Sequence, residues 1–414
     1  MKKLLSVVLA LLMLAVMLPV TAMAEDTNYC TIEGITEADG TTLKHFDTLT
    51  AAAKAWRESK GIATSGGNFG SHPAELTIDS ISWVISGSVG TGDGTGVVGT
   101  SGSLLSGGYI YPSIAINSVY IRGVNNAELK NELGSDDYAL TAGGKNVVYD
   151  GITFPEYVSF NFGAENVTFK NCTFKGGLKV MQAINVTVDN CKFEGDGSKD
   201  FAFFAQSVPA NSMKAVQFKN NTVSSFMRGI NVQADSTATV SITGNTITNL
   251  TGKDANGGKY GSAIQLTSGA SFTVTDNTIN TKNVNAFHLY NGLNAAVTIN
   301  NNIITTDYLI WNAANLENIS SSGNTLDIKY PGKELVKVKL DDKSEVVNTI
   351  DSATTINGTV VEHPTTIVII TPAGDTPKTE PEKNPTTGAN DMVAAAAALM
   401  AVSALGMAVL SRKK

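Results

Sequence analysis

Few residues in this chain are of the type and spacing that does chemistry. Asp196, Asp200, Asp235 and Asp254 lie in polar segments, and His288 stands alone between Phe287 and Leu289. A glycoside hydrolase needs two carboxylates facing each other across the scissile bond. A lyase needs a base of tuned pKa, and solvated loops are the simpler description of these four acids. His288 can hydrogen-bond a sugar or act as a base, but a lone His of this kind is more often a surface residue without a chemical duty. Gly94, Gly96 and Gly99 spell G-x-G-x-x-G. A dinucleotide fingerprint needs a strand before it and a helix after it; more Gly and Ser follow here, which reads as a long loop. Cys30, Cys172 and Cys191 have neither a C-x-x-C pattern nor a His cluster around them, so no metal and no other cofactor is indicated. The formal charge of −7 and only four arginines (Arg57, Arg122, Arg228 and Arg412) argue against a phosphate-tracking surface, hence against nucleic acid.

The elements that must position these residues are written as a repeat. Val167–Phe174 reads Val-Thr-Phe-Lys-Asn-Cys-Thr-Phe and Val186–Phe193 reads Val-Thr-Val-Asp-Asn-Cys-Lys-Phe. The phrase returns at Val216–Val223, Val240–Ile247, Phe272–Ile279, Val297–Ile304 and, weakly, Ile319–Leu326; an earlier copy is Val147–Phe154. Its sixth residue is Ile152, Cys172, Cys191, Asn221, Asn245, Asn277, Asn302 and Asn324 in turn, about 25 residues apart, a spacing typical of solenoid units. Within each copy apolar residues alternate with polar ones, as in a half-buried strand. Each strand runs into an Asn- or Gly-bearing turn, and both residues tolerate left-handed backbone. A second strand follows at Gly229–Gln233, Ala263–Thr267, Ala286–Asn291 and Tyr308–Asn312. Such units bury their apolar faces only by stacking, with parallel strands about 4.8 Å apart. The buried amides of Asn221, Asn245, Asn277, Asn302 and Asn324 are then expected to bond to one another as a ladder. Cys172 and Cys191 hold the same place in adjacent coils, within reach of a disulfide, and a reduced buried stack fits equally well. Cys30 has no obvious partner. Sequons such as Asn166-Val167-Thr168 read as turn and ladder chemistry.

From about Ala74 to Tyr330 the repeat resembles the right-handed parallel β-helix family, the pectin-lyase-like fold. That resemblance implies an all-β right-handed solenoid, and it says little of activity, since lyases, hydrolases and adhesins share the fold. It also implies that a carbohydrate ligand lies along the outer face of one stacked sheet. By alternation, Asn231 and Gln233, Gln265 and Thr267, and His288 and Tyr290 would face outward there. Ser159, Asn161, Lys179 and Met181 would do so in earlier coils. This column has no Asp or Glu, hence no hydrolase pair and no set of calcium ligands. Tyr290 and Trp311 are candidate sugar platforms, core packing being as good a reading for Trp311.

Residues 1–24 have early lysines, an apolar run and an Ala-x-Ala end, the pattern of a secretory signal peptide cleaved before Glu25. Residues 25–73 form a cap region with a helix over about 47–60, begun by Asp47 or Thr48 and ended by Gly61. It is expected to cover the open first coil and protect its edge strand. The β-helix spans 74–330, a β segment 331–371, and a Pro/Thr-rich linker 372–383. Residues 384–414 contain Asn384, Pro385, Thr386, Thr387 and Gly388, an uncharged stretch over 392–410 and a basic end. This tail resembles the sorting signal of Gram-positive wall-anchored proteins, LPxTG-like with Asn in place of Leu. The resemblance implies that a sortase cuts after Thr387 and joins it to peptidoglycan. The resulting expectation is a secreted, wall-anchored β-helix that binds polysaccharide or a host surface without catalysis. A polysaccharide lyase or hydrolase using loop carboxylates, and a self-associating structural protein, are the alternatives.

Overall fold

A computed structural model of the chain describes residues 27–63 and most of 76–328, with short strands between 350 and 361. The chain winds into a right-handed parallel β-helix. Val147, Val167, Val186, Val216, Val240, Phe272, Val297 and Ile319 share one register position, one above another in successive coils. Two further coils precede them, because Ile81 pairs with Val119 and Val119 with Val147. The repeated phrase does not mark these coils. Ser118–Lys130 runs as a single long strand whose register slips opposite Ser86–Ser88, with its left-handed residues Asn125 and Asn126 (φ 52° and 55°) inside the strand.

Each later turn bends at the residue before the repeat's sixth position. Gly151, Asn171, Asn190, Asn220, Gly244, Asp276, Asn301 and Gly323 all have φ between 52° and 71°. Only Gly, Asn and Asp take that left-handed backbone readily, which is why the sequence cycles through those three residues and no others. The alternating apolar positions point inward and stack along the axis. Tyr149 lies on Phe169, Phe154 on Phe174 and Phe174 on Phe193, with ring centroids 5.0, 5.0 and 4.9 Å apart. From Ile242 to Ile304 the same core positions are filled by Ile and Val. Each such side chain contributes about 1.5–3 kcal/mol by leaving water.

A separate sheet, continuous along one side, is built from the strands that follow the turns. Among the described residues it has nine, from Ser103–Leu105 to Tyr308–Trp311, all parallel. Phe201–Gln206 belongs to it, a strand hidden in the sequence because it is a continuous apolar run without alternation.

Both ends of the solenoid finish in an antiparallel pairing. Tyr29–Ile32 pairs antiparallel with Ile81–Gly90, so a strand closes the edge that the helix was expected to protect. The helix, α1 (Leu49–Ser59), packs its buried Leu49, Ala52, Ala53 and Trp56 into the core. Thr48 caps it by accepting the Ala51 N–H at 3.2 Å, and Gly61 follows at φ 70°. At the far end Ile350–Asp351 and Thr354–Ile356 continue the parallel stack, and Thr359–Val361 turns back antiparallel. Residues 1–24, Gly94–Gly99, Glu334–Leu340 and residues 372–414, with Asn384–Gly388, lie outside the described residues. Among the described residues no helix is long and apolar enough to cross a membrane.

Candidate functional site

The repeat's sixth position is buried in every coil and changes character along the axis. Asn221, Asn245, Asn277, Asn302 and Asn324 stack directly. Asn277 is representative. Its Oδ1 accepts from both the backbone N–H and the side chain of Asn245, at 2.9 Å each. Its Nδ2 donates to Ile242 O and to Asn302 Oδ1, again at 2.9 Å. The four earlier residues of the column are Ala127, Ile152, Cys172 and Cys191.

Both cysteines are free thiols rather than a disulfide. Cys172 Sγ donates to Tyr149 O at 3.6 Å and Cys191 Sγ to Phe169 O at 3.5 Å, the carbonyl column that the Asn amides use further along. The two halves meet where Asn221 Oδ1 accepts the Cys191 N–H at 2.8 Å. Burial, and then Cys172 beside it, raises the Cys191 thiol far above its ordinary pKa. Cys30 packs at the helix start, its Sγ 3.2 Å from Thr48 O. Burial and then Asp47 push its pKa up to about 12. Neither thiol is a nucleophile at neutral pH.

The outward column of the nine-stranded sheet runs Ser159, Lys179, Phe204, Asn231, Gln265 and His288, and the backbone of Trp311 takes the next register position. No carboxylate stands in it. The structure therefore brings Asn231, Gln265 and His288 together in adjacent coils. Gln233 and Thr267 are not paired, because a bulge after Val232 sets Gln233 opposite Ser268. Thr267 instead reaches back, its Oγ1 3.3 Å from Asn231 Oδ1. Tyr290 and Asn161 lie outside the described residues, as does Asp254.

The column is not an open groove: Asn231, Gln265 and His288 are only 6%, 5% and 4% exposed. Burial, and then the Arg228 guanidinium, pull the His288 pKa down to about 3, so the imidazole is neutral. Beside the column Arg228 stacks 3.9 Å over the Phe201 ring and forks onto the Asp200 carboxylate, its Nε 2.6 Å from Oδ1. Lys179 Nζ sits 5.4 Å over Phe204. Sequence reasoning missed this pair of cation–ring contacts because both phenylalanines belong to the unrecognised strand.

The remaining loop carboxylates are engaged locally. Asp196 accepts from the Ser198 backbone and hydroxyl, which hold it below the usual carboxylate range. Asp235 is held down in the same way, first by Thr237 and then by Lys214 at 2.9 Å.

Opposite in character are the outer faces of the strands flanking the Asn turns, which are open to solvent. In the early coils one outward column alternates in charge: Arg122, Asp150, Lys170, Asp189 and Lys219. Lys170 and Lys219 reach Asp150 and Asp189 at 3.2 and 3.5 Å. The same column then continues as Thr243, Thr275, Asn300 and Ser322.

Residues 113–261 match the family model described as a right handed beta helix region. No curated protein and no solved structure matches the chain.

Proposed function

We propose that this is a surface-displayed β-helix that binds carbohydrate without transforming it, held on the cell wall through residues 384–414. The observation that carries the non-catalytic reading is the acid-free column Ser159, Lys179, Phe204, Asn231, Gln265 and His288. Bond cleavage at a sugar needs a proton donor and a base or nucleophile poised across it. His288 is neutral and buried, while Asp196, Asp200 and Asp235 are each committed to neighbouring donors. Rows of stacked hydroxyls on the outer faces offer a polymer many weak contacts and no reactive group. The signal-like residues 1–24 and the Asn-Pro-Thr-Thr-Gly tail support export and wall attachment, with sortase and peptidoglycan as the partners. A glycan array with residues 25–387, run beside assays for reducing ends and unsaturated products, tests the reading. Retention of one or more glycans without product above a heat-treated control is expected. Product release would overturn it, as would failure to retain any glycan.

A further inference from the structure

The four C-terminal coils present an open, almost charge-free array. Their outward positions are Thr239, Ser241 and Thr243, then Ser271, Thr273 and Thr275, then Ala296, Thr298 and Asn300, then Ser320 and Ser322. Past the turn the array continues through Thr246, Thr278, Ile303 and Thr325. These last four are all exposed, Ile303 at 55%. In the same columns the earlier coils carry Asp150, Lys170, Asp189, Lys192 and Lys219. In these columns charge thus stops at Lys219, although Asp276 is exposed at a later turn.

From this contrast we infer that the hydroxyl face of residues 239–325 docks flat onto an ordered, neutral polysaccharide surface. The inference rests on the carbohydrate-binding reading and moves the contact away from the covered amide column. Three features select the occupant. Apart from the exposed turn acid Asp276 the face carries no charge, and it carries no cation, so an acidic polymer, a nucleic acid or an anionic membrane gains nothing there. Hydroxyls and methyl groups recur in rows about 4.8 Å apart, comparable with the length of one hexose unit along an extended β-linked chain. The strands pair in unbroken parallel register and their side chains are short, so the face suits a sheet of parallel chains better than a single kinked oligosaccharide. Each Thr or Ser offers one donor and two acceptors, matching sugar hydroxyls that also give and accept. Affinity then comes from many weak contacts made together.

The test is co-sedimentation of residues 25–387 with microcrystalline cellulose, crystalline chitin and starch granules. Soluble polygalacturonate serves as the charged control. Retention on at least one neutral solid is expected, unchanged between low and high salt because screening acts only on charges. Thr278→Lys, and independently Thr298→Lys, should weaken that retention at least tenfold, with a thermal unfolding curve confirming that each variant folds. Gln233→Ala, on the other sheet, should leave it unchanged. Retention lost in Gln233→Ala and kept in both lysine variants would overturn this inference while leaving carbohydrate binding intact. Absence of any glycan retention would overturn the broader reading. A concentration-dependent dimer abolished by Thr278→Lys would assign the face to a second copy of the chain instead.

Discussion

The coils before and after the junction at Cys191–Asn221 share one backbone and differ in side-chain chemistry. Before it, the core is stacked rings, the turn position is Ala127, Ile152, Cys172 and Cys191, and the outer column is an alternating ion ladder. After it, the core becomes largely aliphatic, the turn position is an unbroken run of Asn, and the outer column becomes hydroxyl-bearing. A parallel coil evidently needs its turn carbonyls answered and its core filled, and several residue types do both. What distinguishes the amide half is that each Asn also accepts the backbone N–H of the coil before it, tying neighbours together through three or more bonds. The thiol half is held by packing and weak S–H donation, and its outer register is set by charges.

The largest consequence concerns the middle of the amide ladder. Asn277→Ala removes four hydrogen bonds and leaves the buried Asn245 N–H and the Ile242 carbonyl without their partner. A loss of about 3 kcal/mol is expected in a denaturant titration, since each stranded buried group costs about 1–3 kcal/mol. On the thiol side Cys191→Ala should cost only about 1–2 kcal/mol, from a small cavity and weak donation. If the two variants cost the same, the contrast between the halves fails. Cys191→Asn sharpens the comparison from the other direction: the new amide meets Phe169 O and Asn221 Oδ1, so its stability should equal or exceed that of the native chain.

A pH effect comes next. With its folded pKa pulled down to about 3, His288 stays neutral in the fold and takes up a proton on unfolding at any pH between about 3 and its free value near 6.5. Stability is therefore full above about pH 6.5 and declines as pH falls toward about 3. Unfolding midpoints measured from pH 7 to pH 4.5 should fall in the native chain and fall less in His288→Gln. The smallest effect belongs to the ion ladder. Burial works against the Asp150 carboxylate, but hydrogen bonds from Tyr120, Asn171 and Lys170 outweigh it and hold its pKa below the ordinary range. That contribution is present above about pH 4 and is lost as pH drops through the lowered value. Asp150→Asn at neutral pH should cost no more than about 1 kcal/mol, read from the same titration.

The sequence made the fold legible wherever the backbone demanded a particular residue. Left-handed turn positions admit Asn, Gly or Asp, and inward positions admit apolar residues, so eight coils could be aligned by eye. Legibility failed where those demands relax. Ser118–Lys130 alternates up to Arg122 and again from Ala127 but is interrupted by a register slip, and Phe201–Gln206 is buried on both faces and shows no alternation. The register stacks Asn231, Gln265 and His288 as alternation predicts, whereas Gln233 and Thr267 fall out of step, because a bulge leaves no mark in local spacing. Its burial was not legible either: alternation separates inside from outside and is silent on what covers the outside. The hydroxyl face went unread for the opposite reason. Thr and Ser on a strand look like ordinary solvated positions until register stacks them into rows.

Site-resolved amide hydrogen exchange tests the amide ladder most directly. In the native chain the backbone N–H groups of Asn221, Asn245 and Asn277, each bonded to the next coil's side chain, should exchange with the slowest class. In Asn277→Ala the N–H of Asn245 alone among the three should speed up sharply. No response at Asn245, or an equal response at Asn221 and Asn277, would contradict an interior held by stacked amides.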